Sequence, residues 1–379
     1  MTLDNDPRIK RVNRFYMLVN ALLSTFVLRA MLSVLLWTCA TANAMDLKVP
    51  ERRDDGLKVA DLNPVKSDKE VLRQLAIKLR DGEFGEVCSI LVAKGDTLLL
   101  EQYFGDANID KLHPTRSHTK SMTSYAVGKA IEQGKIRSVD DPILKYLPEV
   151  DASKLLPGVE KITIKDCLTM SAGLRSDGKQ KKPKRFKKDT HVPWILEDWT
   201  KELVTGERRF SYSYSDPIII SHVLFNATGK TIEEMAAEHF FQPMGIKKYT
   251  FRTLGTGLTN PIDNMELRSR DMVKLGLLTL NGGVWNGKQL LKKVYIDEAT
   301  SPYAIVNKTE SYGYFWWVNR INVKGKTCEV KTAFGAGGQM IYVIPEFDMV
   351  VVFTAKKADK RKLLALLQDT IVPAFLIDE

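Results

Sequence analysis

The chain has 379 residues, 44% hydrophobic and 27% charged, which is enough to bury a sizeable core as one large domain or two interleaved ones and excludes disorder as the default. Its formal charge of +10 falls to +7 without the five basic and two acidic residues of positions 1–44, a balance that suits a protein facing anionic envelope polymers or lipid head groups, so association with a membrane or cell envelope is an open expectation. The same charge would serve weak nucleic-acid binding, but no zinc-finger or RNA-recognition pattern accompanies it, and no nucleic-acid partner is expected.

Residues 1–44 read as a targeting segment: a basic stretch over 8–14, apolar runs over 15–28 and 30–37, then Ala42-Asn43-Ala44, with small residues at both ends of the triplet as a signal-peptidase site requires. Arg29 splits the apolar stretch, so neither half reaches the roughly 20 residues that span a bilayer. A cleaved signal peptide and an uncleaved membrane anchor both fit, and either places the protein in the periplasm or facing it. Cys88, Cys167 and Cys328 come after this leader without a CxxC pairing, and His113, His118, His191, His222 and His239 form no HExxH. Neither a disulfide framework nor a metal site is indicated, and no cofactor is expected.

Residues 45–85 are read as an N-terminal arm, polar and charged over 46–70. Two apolar runs over 87–93 and 97–104, separated by Lys94-Gly95-Asp96, predict a hairpin. Helical patterns come next, at 117–133, 164–170, 218–226, 232–241, 269–280 and 288–299. Beyond them, 340–344 and 349–354 are β-rich runs around Pro345-Glu346-Phe347-Asp348, and 360–375 reads as a closing helix. Strands at both ends and helices between them predict an α/β (α+β) domain over 86–379. Its antiparallel sheet comes from both chain ends (86–105 and 312–379), is flanked by helices, and carries a helical lobe over about 134–311. The segment 179–188 holds seven basic residues in ten; it is a solvated loop or a guard at a site entrance.

A serine hydroxyl is a weak nucleophile and needs a base within hydrogen-bond reach. Lysine three residues on shares its helix face, and two pairs have that spacing, Ser117 with Lys120 and Ser176 with Lys179. The second straddles Asp177-Gly178 with no helical continuation. Ser117 comes after the breaker Pro114 and opens the helical pattern Met122, Tyr125, Ala126, Ala130, so its neighbourhood also offers free N–H groups to a developing oxyanion. A partner group is sought in Phe210-Ser211-Tyr212-Ser213-Tyr214-Ser215-Asp216. A lysine cation beside a tyrosine favours the phenolate and lets the two relay a proton, although two tyrosines among apolar residues also suit plain packing. A third element, Phe334-Gly335-Ala336-Gly337-Gly338-Gln339, runs into a strand. It is either a glycine turn or an edge whose N–H completes an oxyanion hole with that of Ser117.

In this order the elements resemble the penicillin-recognising serine hydrolases: class C β-lactamases, D-alanyl-D-alanine carboxypeptidases, related esterases and 6-aminohexanoate-dimer hydrolases. The resemblance spans Glu86 to Thr354. Ser117-His118-Thr119-Lys120-Ser121 is similar to the family's SxTKS, and Asp141 to Pro148 to the segment after its helix. Further matches are 162–174 to its LLTMxSGL stretch, then 281–289 and 312–317.

The resemblance implies a β-lactamase/transpeptidase-like fold with Ser117 as acyl-accepting nucleophile, Lys120 as its activator and Tyr212 as general base and acid. Gly335, Ala336 and Gly337 would stand at the KTG or HTG strand, with Gly338 or its neighbour as second oxyanion donor. The chain departs from the family pattern twice. Tyr214 replaces the amide of YxN that usually helps bind substrate, and the third element lacks Lys or His. The second departure removes a contact to carboxylate-bearing substrates worth about 1 to 3 kcal/mol, so small esters or amides are expected ahead of β-lactams. The competing reading is a non-catalytic or sensory envelope protein that binds peptide or glycan on the same fold; an intact Ser117, Lys120 and Tyr212 favours the enzyme.

Overall fold

Strand Met349–Ala358 lies at the heart of the molecule, paired with Gly85–Lys94 on one side and Gln339–Ile344 on the other, so the two ends of the domain close one sheet. In this computed structural model, which describes residues 45–63, 65–174, 192–197 and 209–376, the leader and the basic loop over 179–188 lie outside the described residues. Every described strand and helix belongs to the unit Leu47–Glu379.

From edge to edge the nine strands of the large sheet are Lys58–Val59, Thr97–Tyr103, Gly85–Lys94, Met349–Ala358, Gln339–Ile344, Lys326–Gly335, Trp317–Val323, Glu310–Tyr312 and Ala304–Ile305. Every neighbouring pair is antiparallel except the first. The central strands read as continuous apolar runs because both faces are covered. Leu91, Ala93, Ile341, Val343, Val350 and Val352 join the main core with Met122 and Tyr125, while the alternating Val92, Tyr342 and Val351 turn to the other face. The expected antiparallel sheet with a helical lobe is thus the observed architecture.

Three boundaries differ from expectation. The arm over 45–85 contributes strand Lys58–Val59 and a 12-residue helix, Lys69–Arg80, capped by Asp68 and burying Leu72, Leu75, Ala76 and Leu79. The buried Arg270 ties this segment to the sheet, bonding Asp55 Oδ2 at 2.9 Å and Glu101 at 2.8 and 3.0 Å. The helix expected over 288–299 is confined to Lys293–Ala299. Asn286 and Gly287, both at positive φ, make a tight turn that pairs Val284–Trp285 with Lys288–Gln289 instead. The sheet also begins earlier than 312, at Ala304.

Helix His118–Glu132 is buried over most of its circumference, which places its first residues inside the molecule. A small sheet of Leu112–Pro114, Glu266–Arg268 and Tyr249–Thr250 fixes the chain entering it. There Thr115 donates to the Met265 carbonyl twice, from N–H at 2.9 Å and from Oγ1 at 2.8 Å, while Met265 N–H donates to Thr119 Oγ1 at 3.2 Å.

Candidate active site

Ser117 is the residue that precedes this helix, and its side chain makes no capping bond there, so the hydroxyl is available for other partners. Lys120, one turn on and 1% exposed, donates from Nζ to Ser117 Oγ at 3.1 Å. It also donates to the Ile262 carbonyl at 2.6 Å. That carbonyl sits on a loop shaped by Asn260, whose Oδ1 accepts from Ile262 N–H at 2.9 Å. Sequence reasoning missed Ile262 because a backbone acceptor carries no residue signature.

Tyr212 arrives from the segment before helix Ser215–Thr228. Ser211 N–H donates to the Met170 carbonyl at 2.8 Å, and Ser213 N–H reaches the Met170 sulfur at 3.5 Å. The Tyr212 ring stacks on Trp317 with centroids 6.0 Å apart and meets Tyr312 edge-on at 6.2 Å. Its hydroxyl is hydrogen-bonded to Ser117. Burial pushes Tyr212 up to about 12, and the bond from Ser117 pulls only partly the other way. Desolvation thus favours the neutral phenol over the phenolate anticipated beside the lysine cation. His118 is pushed down to about 4 by burial, with Nε2 2.9 Å from the Gln339 carbonyl, so it stands as a neutral imidazole beside the nucleophile.

Across from Ser117, strand Lys326–Gly335 loses its neighbour Trp317–Val323 after Thr332, whose partner is Trp317. Residues 333–335 thus form a local free edge. A Cβ at Gly335 would lie 2.2 Å from the Thr115 carbonyl and 3.0 Å from Arg116 Cβ, so only glycine lets the two backbones approach this closely. Gly337 and Gly338 are placed differently. The Gly338 N–H donates to the Gly335 carbonyl at 3.3 Å, and the Gly337 carbonyl accepts from Ala358 N–H at 2.9 Å. Both belong to the hairpin turn, and the Gly338 N–H anticipated as an oxyanion donor is engaged within that turn. Arg116, immediately before Ser117, has φ 56, a left-handed conformation that a non-glycine residue adopts under strain.

Among the described residues no group of three or more His, Cys, Asp or Glu side chains is placed to hold a metal ion, and Cys88, Cys167 and Cys328 are free and buried. No helix among them is long and apolar enough to cross a membrane.

The family described as Beta-lactamase matches residues 87–370, three quarters of the chain, from the hairpin before Ser117 to the closing helical segment. The chain belongs to the Beta-lactamase family. It is similar to the 6-aminohexanoate-dimer hydrolase of Paenarthrobacter ureafaciens, 23% identical over an alignment 312 residues long, gaps included, that covers 74% of this chain and 76% of that protein. Among solved structures, the octameric penicillin-binding protein homologue from Pyrococcus abyssi superposes with a TM-score of 0.63 at 18% identity, covering 80% of this chain and 78% of that one. A D-stereospecific amidohydrolase from Streptomyces sp. superposes at 0.61 with 17% identity, covering 79% and 98%. These likenesses show the Beta-lactamase fold.

Proposed function

We propose that this Beta-lactamase family member is a serine hydrolase that cleaves a small ester or linear amide through an acyl-enzyme on Ser117. The observation that carries the reading is the shared hydrogen bonding of one hydroxyl: Ser117 Oγ accepts from Lys120 Nζ at 3.1 Å and bonds Tyr212 as well. Two relatives whose names describe amide or dimer hydrolysis support it.

In this reading Ser117 Oγ attacks the substrate carbonyl carbon while its proton passes to the Tyr212 oxygen. Tyr212, a neutral phenol at rest, hands its own proton to the leaving oxygen or nitrogen, so no free phenolate accumulates. Water then releases the acyl group by the reverse relay. The Lys120 ammonium stabilises negative charge on the attacking oxygen and on Tyr212 in turn. One oxyanion donor is the Ser117 N–H. For the other we assign Phe334: Gly335 turns its carbonyl into the hairpin, and alternation along an antiparallel strand directs the preceding N–H to the free edge.

The test is a panel of short-chain chromogenic esters, small linear amides and a cephalosporin, run with the parent protein and Ser117→Ala. Esters should be cleaved best and the cephalosporin poorly, since no Lys or His stands in the third element. A fluorophosphonate should label Ser117 and leave Ser117→Ala unlabelled. Labelling on another serine, or efficient cephalosporin turnover, refutes the assignment. We also propose, from the basic, apolar, Ala-x-Ala order of residues 1–44, that the protein is exported. N-terminal sequencing from the envelope fraction should begin at Met45, and full-length chain in the cytoplasm would contradict it.

A further inference from the structure

Tyr214 lies two residues beyond Tyr212 in an irregular stretch ahead of helix Ser215–Thr228. Between them Ser213 is buried; its hydroxyl donates to Asp216 Oδ2 at 2.5 Å and accepts from Asp216 N–H at 3.1 Å, which braces the chain between the two tyrosines. Lys120 Nζ lies 5.2 Å from the Tyr212 ring centroid and 5.7 Å from that of Tyr214. Both distances fall within the range over which a ring face attracts an ammonium.

Lysine is flexible, and fixing its side chain costs rotamer entropy. Its hydrogen bonds to Ser117 Oγ and the Ile262 carbonyl set two directions for Nζ. The ring faces of Tyr212 and Tyr214 lie against the same ammonium and limit where it can move. A side-chain amide at position 214 would point a donor and an acceptor at substrate, whereas a ring facing Lys120 presents neither through its face.

We propose that Tyr214 is a positioning residue whose ring face, together with that of Tyr212, clamps the Lys120 ammonium at hydrogen-bond distance from Ser117. The substrate is accordingly recognised on this side by apolar and aromatic contact, not by a side-chain amide. This rests on the serine hydrolase reading above, and the experiment separates the two.

Tyr214→Phe, Tyr214→Leu and Tyr214→Asn are assayed on the best chromogenic ester, with thermal unfolding as a folding control. Tyr214→Phe keeps the ring and should hold kcat and KM within about twofold of the parent. Tyr214→Leu and Tyr214→Asn remove it and should each lower kcat about tenfold with KM within about twofold, and slow fluorophosphonate labelling of Ser117 in step. Should the leucine variant fail to fold, the asparagine variant carries the same test. A phenylalanine variant as impaired as the leucine one would overturn the clamp in favour of a hydroxyl role. A rise in KM with kcat unchanged would overturn it in favour of substrate contact, and parent kinetics in all three would overturn it outright. If the parent protein neither turns over any ester or amide nor takes the probe on Ser117, the serine hydrolase reading fails and the clamp with it. With an active parent, the three-variant pattern bears on Tyr214 alone.

Discussion

The two walls of the candidate site are built from different materials. On the Ser117 side the parts are side chains, Lys120 and Tyr212, held by hydrogen bonds to one hydroxyl and by aromatic packing against Trp317. On the facing strand the part is backbone, a short free edge over 333–335, whose approach depends on the absence of a side chain at Gly335. A side-chain wall fails when a functional group is removed. A backbone wall fails when an atom is added. The difference separates variants that lose chemistry from variants that lose alignment.

The largest effect belongs to the side-chain wall. Lys120→Ala and Tyr212→Phe should each lower kcat/KM on the best ester by about a thousandfold or more, and the double variant should lose little beyond the worse single one, because in the proposed relay the groups act on one proton as a unit. Steady-state kinetics of the three proteins decide this. Additive losses would mean that Lys120 and Tyr212 work in separate steps and that this wall is two devices.

Gly335→Ala comes next. The added Cβ meets the Thr115 carbonyl at 2.2 Å, and that carbonyl is backbone that cannot swing aside. Pushing the strand from Ser117 should lower kcat by about a hundredfold through misalignment and destabilise the fold by about 1 to 3 kcal/mol. Because Lys120 and Tyr212 are untouched, the pH profile of the residual activity should keep its shape. A Gly335→Ala protein with parent kcat would show that the facing strand takes no part in the reaction.

The same division decides how much could be read from the sequence. The grouping of Ser117, Lys120 and Tyr212 was legible because side-chain chemistry leaves a residue type at a spacing: a serine after Pro114, a lysine one turn on, and a tyrosine in a polar aromatic run. The hairpin over 85–103 and the closing strands were legible from β-rich runs broken by turn residues. Helix Lys69–Arg80 was within reach too, since Leu72, Leu75, Ala76 and Leu79 fall at helical spacing, but the charged composition of the preceding stretch hid the period. Asn286-Gly287 is likewise a turn signal that the long apolar pattern over 288–299 obscured. The backbone wall could not be read in this way. The Ile262 carbonyl that holds Lys120 would be the same atom on any residue. Which of the N–H groups over 334–338 is left for the free edge depends on the bond from Gly338 to Gly335, a property of the turn and not of any residue type.

Arg116 joins the two walls, and the smallest effect is expected there. Its Cβ lies 3.0 Å from the position a Gly335 Cβ would take, and its φ of 56 sets the angle at which the chain enters the Ser117 helix. Left-handed backbone costs a residue with a Cβ about 1 to 2 kcal/mol, so Arg116→Gly relieves that strain. Against this, glycine loses roughly 0.5 to 1 kcal/mol more backbone entropy on folding. The difference favours the variant by up to about 1.5 kcal/mol, a Tm rise of a few °C at most in a thermal scan. If the strained residue holds Ser117 in register with the free edge, the gain in stability should come with a fall in kcat of about threefold, the ordinary exchange between stability and activity at a strained site. A rise in Tm with kcat unchanged would assign the strain to the fold alone and leave Gly335 as the sole link between the walls. A fall in Tm would mean that the arginine side chain itself stabilises the entry to the helix, and that the left-handed turn is not strained in its native setting.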